Sequence, residues 1–173
     1  MRGRCNECGF DASSVSVPDA IVALRTFPRR WRGAMAIMDG EPDDILRRRP
    51  QPDVWSALEY AAHVRDIFAI HGSAMNRTLT EDHPVSEWPA GVSEDTVAAG
   101  YAALDPRVVL DELSANAERV AARAARTDPG AWRRPATIPP HEEVDALWFL
   151  HHCVHEGSHH LRDVARVLET VRR

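Results

Sequence analysis

The sequence predicts an all-α protein and, within that class, a four-helix bundle. Three observations carry the prediction. Four stretches repeat apolar residues at three- and four-residue spacing, no alternating strand pattern runs long enough to build a sheet, and 173 residues suit one domain with a single core. Amphipathic helices in such a chain can bury their stripes only against one another.

The first helix should open near Pro18 and Asp19, carry Ile21, Leu24, Trp31, Met35 and Met38 on one side, kink at Pro28, and end near Asp39-Gly40. A polar connection through Arg47-Arg48-Arg49 reads as a solvated linker. Ser56 then stands three residues before Glu59, the spacing of a capping box, with Trp55 and Tyr60 placed to staple the turn. This second helix is expected to run to about Thr78. A loop through Asp82-His83-Pro84 and Trp88-Pro89-Ala90-Gly91 follows, with Trp88 as a candidate pocket wall, and then a short helix from Ser93. Asp105-Pro106 is an N-cap with proline at the first helical position, and it starts a third main helix through Leu113, Val120 and Ala124. The fourth is expected from about Glu142 to Val171, with Leu147, Leu150, Val154, Leu161, Val164 and Leu168 as its stripe. The chain thus divides into a cysteine-bearing leader, residues 1–17, and a bundle, residues 18–173.

Twenty-one basic residues, all arginine, stand against twenty-six acidic ones for a net charge of -5. That balance lacks the broad positive footprint that nucleic acid or an anionic lipid surface requires, so neither is expected as a partner. No apolar run approaches the roughly eighteen residues of a membrane span, and the first residues lack the apolar core of a signal peptide, so a cytoplasmic location is expected. Three cysteines, an odd number, suit a reducing compartment without structural disulfides.

The chemistry concentrates in the last helix. Five of nine histidines fall in LHHCVHEGSHHLRDV: His151, His152, His155, His159 and His160. His155 and His159 lie one turn apart, within reach of a single ion. His151 extends that row but cannot share an ion with His159, because eight residues of helix rise about 12 Å. A third ligand must come from elsewhere. His63 supplies it, since it stands in register with Tyr60, Ile67, Ile70 and Ala74 on an inward-facing row. Neutral imidazoles suit zinc first, with nickel and iron as further choices, and three histidines with one open position would let the ion acidify water or a thiol. The competing readings are plain ones. His155 and His159 lie roughly opposite the main apolar stripe, where a solvated row is ordinary, and His63 alone would be a core histidine bonded to a carbonyl. Glu59, Asp66 and Glu156 are candidate acceptors for orienting an imidazole, with Asp66 preferred.

The leader, MRGRCNECGF, carries Cys5 and Cys8 in a C-x-x-C-G turn that resembles half of a zinc ribbon. Three uses stay open: a second zinc site completed by histidines or another chain, a redox pair, or extra ligands folded over the bundle metal. Zinc is favoured over redox because the βαβ setting of redox C-x-x-C pairs is missing. Cys153, inside the last helix, reads as a small buried thiol.

A histidine in the second helix after a W-S-x-x-E-Y start, together with H-x-x-x-H-H in the last helix, resembles the DinB-like superfamily, which includes the mycothiol-dependent maleylpyruvate isomerase type. The likeness runs from about Ala20 to Leu168. It implies an up-down-down-up bundle with one divalent metal held by three histidines, which carry over to His63, His155 and His159. It further implies a metal-dependent transferase or isomerase that uses a low-molecular-weight thiol such as mycothiol as cosubstrate towards a small electrophile. Arg65 or Arg162 would hold a carboxylate. The isomerase type has a second domain, for which a chain of this length leaves no room, so the expectation is the bundle alone. The expectations are therefore a small-molecule enzyme, homodimeric through exposed helix faces, or alternatively a non-catalytic metal-binding or interaction protein in a stress response.

Overall fold

The computed structural model describes residues 3–86 and 100–173, which contain four long helices: α1 (Val17–Ala34), α2 (Ala57–Thr80), α3 (Pro106–Ala124) and α4 (Ala146–Val171). Trp88 and the helix expected from Ser93 lie outside the described residues. Each start follows from local chemistry. Ser16 and Asp19 close a capping box on α1, and Ser56 and Glu59 close one on α2. Asp105 accepts from the Arg107 amide with Pro106 at the first position of α3, and Asp145 accepts from the Trp148 amide to cap α4. Trp55 packs on Tyr60 with ring centroids 5.5 Å apart, as the staple requires.

Cross-helix pairs give the directions. Arg32 meets Asp111 and Arg25 meets Glu118, so α1 and α3 are antiparallel. His63 meets Glu156 and His71 meets His152, so α2 and α4 are antiparallel. Arg65 meets Glu112 and Arg123 meets Asn76, which makes α2 and α3 parallel. His151 reaches Val15 and Arg172 reaches Ala36, which makes α1 and α4 parallel. The order is up, down, down, up, with α1 and α2 on one diagonal and α3 and α4 on the other. The core at the crossing is aromatic, and Trp31, Phe27, Phe68 and Phe149 are almost fully buried.

Two boundaries differ from expectation. The first helix stops at Ala34 rather than Gly40, because Arg172 takes the Ala36 carbonyl at 3.0 Å and the Glu41 carboxylate at 2.5 Å, drawing that segment against the end of α4. The stretch from Glu142 to Asp145 is not the start of the last helix but a strand, β2, paired antiparallel with β1 (Pro135–Ile138). Ala136, Ile138 and Val144 point inward from this hairpin and close one end of the core. Four-residue strands are too short to show a two-residue period, so the pattern gave no warning.

Gly157 marks a close approach to α4. A methyl group there would stand 2.5 Å from Phe27 Cε2 and 2.9 Å from Phe68 Cζ, and these two rings are themselves stacked at 5.7 Å. Alanine gains about 1 kcal/mol of helix propensity over glycine, whereas overpacking costs about 1–3 kcal/mol. Gly157→Ala is expected to lower the thermal midpoint by about 2–4 °C, and an unchanged or higher midpoint in a melting curve would show that the rings move aside freely.

Candidate metal centre

The antiparallel contact of α2 and α4 sets imidazoles and one carboxylate against each other. Glu156 Oε2 lies 3.3 Å from His63 Nε2 and 3.2 Å from His160 Nε2. Donors bound to a single tetrahedral ion at about 2.0–2.1 Å stand about 3.3 Å apart, which both carboxylate–imidazole distances match, and all three groups offer donor atoms within 4.8 Å of one another. His160 Nδ1 lies 2.7 Å from Asp163 Oδ2, an arrangement that fixes the ring's tautomer and turns Nε2 to the centre. Tyr60 stacks on His160 at 5.1 Å, and the edge of Trp55 meets His63 at 5.3 Å. The donors line a cleft of about 560 Å³ whose rim includes Asp53, Trp55, Tyr60 and His152. Three protein donors on an open wall leave room for a fourth group from solution.

Glu156 organises the whole cluster. Its Oε1 faces His155 Nδ1 at 2.9 Å and His152 Nε2 at 3.3 Å, while Oε2 serves His63 and His160. Burial alone would push its acidity down, but the imidazoles of His152, His155, His160 and His63 outweigh that and hold it ionised, well below the usual carboxylate range. Burial likewise disfavours charge on His160, yet Asp163 and Glu156 raise its pKa to about 9, so an incoming cation must displace a proton there. Behind them His71 is 1 % exposed, and burial, followed by the neighbouring His152, depresses its pKa to about 3. A neutral His71 beside His152 Nδ1 at 3.2 Å lets the hydrogen-bond network run from His71 through His152 to the Glu156 carboxylate.

The three histidines expected to share one ion thus fall into two groups. His63 gathers with Glu156 and His160, whereas His155 and His159 gather with Cys5 and Cys8 on the neighbouring face of α4. The reason is angular: each step along a helix turns about 100°, so the Glu156/His160 pair looks at α2 while the His155/His159 pair looks at the leader. Sequence reasoning placed Glu156 among the orienting acceptors and passed over His160, although E-x-x-x-H offers the same spacing as H-x-x-x-H. The preferred acceptor, Asp66, instead binds the Tyr101 hydroxyl at 2.7 Å and Arg65 at 2.7 Å, and Glu59 binds Arg49. Arg65 pairs with Asp66 and Glu112, and neither it nor Arg162 lines the cleft. His151 donates to or accepts from nothing in either cluster; its Nε2 is 2.9 Å from the Val15 carbonyl, beside a groove of about 760 Å³ between leader, hairpin and α4.

The family model for the DinB superfamily matches residues 26–164. This chain belongs to the DinB superfamily. Among solved structures, this DinB chain is similar to YfiT from Bacillus subtilis, described as a probable metal-dependent hydrolase with an unusual four-helix bundle topology, with a TM-score of 0.74 and 19% identity over 92% of this chain and 90% of that one. It is also similar to the mycothiol-dependent maleylpyruvate isomerase, with a TM-score of 0.69 and 14% identity over 88% of this chain. That match spans 62% of the isomerase chain. At these identities the likeness is one of fold. No curated protein sequence matches. Among the described residues no helix is long and apolar enough to cross a membrane.

Proposed function

We propose that this DinB protein is a metal-dependent enzyme that holds one divalent cation, zinc in the first instance, on His63, Glu156 and His160, and acts on a small electrophile with a low-molecular-weight thiol or water. The observation that carries the reading is the donor set itself. Two imidazole nitrogens and one carboxylate oxygen are spaced for a single ion, at the floor of a cleft that leaves another position free. A cation bound there would lower the pKa of a coordinated thiol or water and so supply a nucleophile at neutral pH.

The remaining work belongs to side chains. Asp163 keeps the His160 Nδ1 proton and so keeps Nε2 free for coordination. His152 donates from Nε2 to Glu156 Oε1, which leaves Oε2 for the centre, and His71 supports His152 from the interior. Trp55 and Tyr60 wall the cleft and give a small neutral molecule aromatic faces to rest on. Among the described residues no arginine lines the cleft, so recognition of a carboxylate falls to the ion and to imidazole N–H groups.

The test is direct. Purified protein should contain tightly held metal, and His63→Ala should lose the ion of the cleft while keeping its helical circular dichroism. The zinc-loaded chain should accelerate the loss of mycothiol or bacillithiol in the presence of an electrophilic reporter, or hydrolyse an activated ester with water alone, and His63→Ala should abolish whichever is seen. Metal content untouched by His63→Ala would overturn the donor assignment. Full metal occupancy with neither activity would overturn the catalytic reading and leave a metal-binding protein.

A further inference from the structure

The leader does not hang free in the described residues. A short antiparallel bridge joins Arg4 to Asp11, Cys5 donates its amide to the Phe10 carbonyl at 2.8 Å, and Gly9 donates to the Cys5 carbonyl at 2.8 Å. Gly9 has φ +72°, the left-handed conformation that glycine takes without strain, and it closes the turn that carries both cysteines. The Phe10 amide points at Cys8 Sγ at 3.4 Å, and the amides of Cys8 and Glu7 face Cys5 Sγ. Amide donors around two sulfurs are what thiolates need to remain charged.

Opposite these sulfurs stand His155 and His159. All four offer one ligand atom within 4.8 Å of the others. Cys5 Sγ is 3.7 Å from His159 Nδ1, close to the edge of about 3.6 Å that separates a sulfur from a nitrogen on one tetrahedral zinc. The outer nitrogens are already spoken for: His159 Nε2 lies 3.2 Å from Glu7 and 3.5 Å from Asp163, and His155 Nδ1 lies 2.9 Å from Glu156. His155 is only 6 % exposed, and its remaining nitrogen, Nε2, is buried without a hydrogen bond. A buried ring nitrogen left in that state costs about 1–3 kcal/mol unless something fills its lone pair. Phe10 covers the same ring, with centroids 5.4 Å apart, and excludes water from it.

We propose that Cys5, Cys8, His155 and His159 form a second metal site, a closed Cys2His2 zinc site that fastens the leader to α4. Four protein donors leave no position for a substrate, so the ion is structural, in contrast to the three-donor cleft on the adjacent face. Two thiolates neutralise the divalent charge, which suits a half-buried position. The site stands independently of the catalytic reading, because it shares no donor with His63, Glu156 and His160.

The experiment uses the full chain. Loaded with cobalt(II) in place of zinc, it should show a thiolate-to-cobalt charge-transfer band in the near ultraviolet. His63→Ala should keep that band, whereas Cys5→Ser/Cys8→Ser should lose it together with one equivalent of metal by elemental analysis. Since the double variant can misfold, the unaltered protein supplies a second readout: Cys5 and Cys8 should resist N-ethylmaleimide while zinc is bound and react at least roughly tenfold faster once a chelator removes it. Absence of the charge-transfer band, equal alkylation with and without zinc, or a Cys5–Cys8 disulfide in the metal-loaded protein would each overturn the proposal. If the band persists in His63→Ala but the cleft proves inactive, only the catalytic reading fails.

Discussion

Glu156→Gln should weaken metal binding on both faces of α4, and by unequal amounts. An amide oxygen can replace Oε2 as a weak neutral ligand, but the amide NH2 then faces His155 Nδ1 and His152 Nε2, where the carboxylate had accepted. At the cleft the loss of an anionic ligand should cost at least roughly 100-fold in affinity. At the Cys2His2 site the change touches only the outer nitrogen of His155, and loss of such an orienting carboxylate costs roughly 10-fold. Titration of metal-free protein against a competing chelator resolves the two steps. His63→Ala is the control, since it should move the cleft step alone. No loss at the second site would show that Glu156 does not link them, and equal losses would show that it is not a direct ligand at the cleft alone.

The second large effect is expected at the head of α2. Glu59 is 2 % exposed and accepts from Arg49 Nε at 2.9 Å and from the Ser56 amide at 2.7 Å. Burial by itself would raise its pKa, but Arg49 and Ser56 prevail and hold it below the ordinary carboxylate range. Its folded pKa is therefore below its unfolded one, so its contribution to stability is complete above the ordinary value of about 4.3 and fades as pH falls through the lower folded value. Arg49→Met removes the partner and leaves the charge enclosed, a loss of about 2–3 kcal/mol at neutral pH once the partial exposure of Arg49 is allowed for. Burial is then opposed by Ser56 alone, so the folded pKa rises and the loss of stability on acidification should shrink in the variant. Denaturant melts across the acid range test this. Parallel pH profiles for the two proteins would show that Arg49 is not what keeps Glu59 ionised.

The helices were legible because their starts are written in short-range chemistry. Ser56 with Glu59 and Asp105 with Pro106 act within one turn, and their hydrogen bonds form as spacing dictates. The end of α1 was not legible, since it depends on Arg172, far along the chain. In the site, the inward register of His63 could be read from its neighbours on α2, but its partners could not. Residues 151–160 offer several overlapping four-residue pairs, each turned about 100° from the next, and only the packed bundle decides which pair meets α2. The expected opposition of His155 to the apolar stripe was sound geometry. Its burial comes from Phe10 and the folded leader, a long-range contact that no helical period contains.

The tight seat of Gly157 between Phe27 and Phe68 has a mechanical consequence. A helix that presents donors on two adjacent sides cannot roll about its own axis without advancing one set and withdrawing the other. With two stacked rings seated against it at the next residue after Glu156, α4 has little room to roll, so neither donor set can tighten at the expense of the other. The wall between the two compartments behaves as a keyed shaft rather than a bearing.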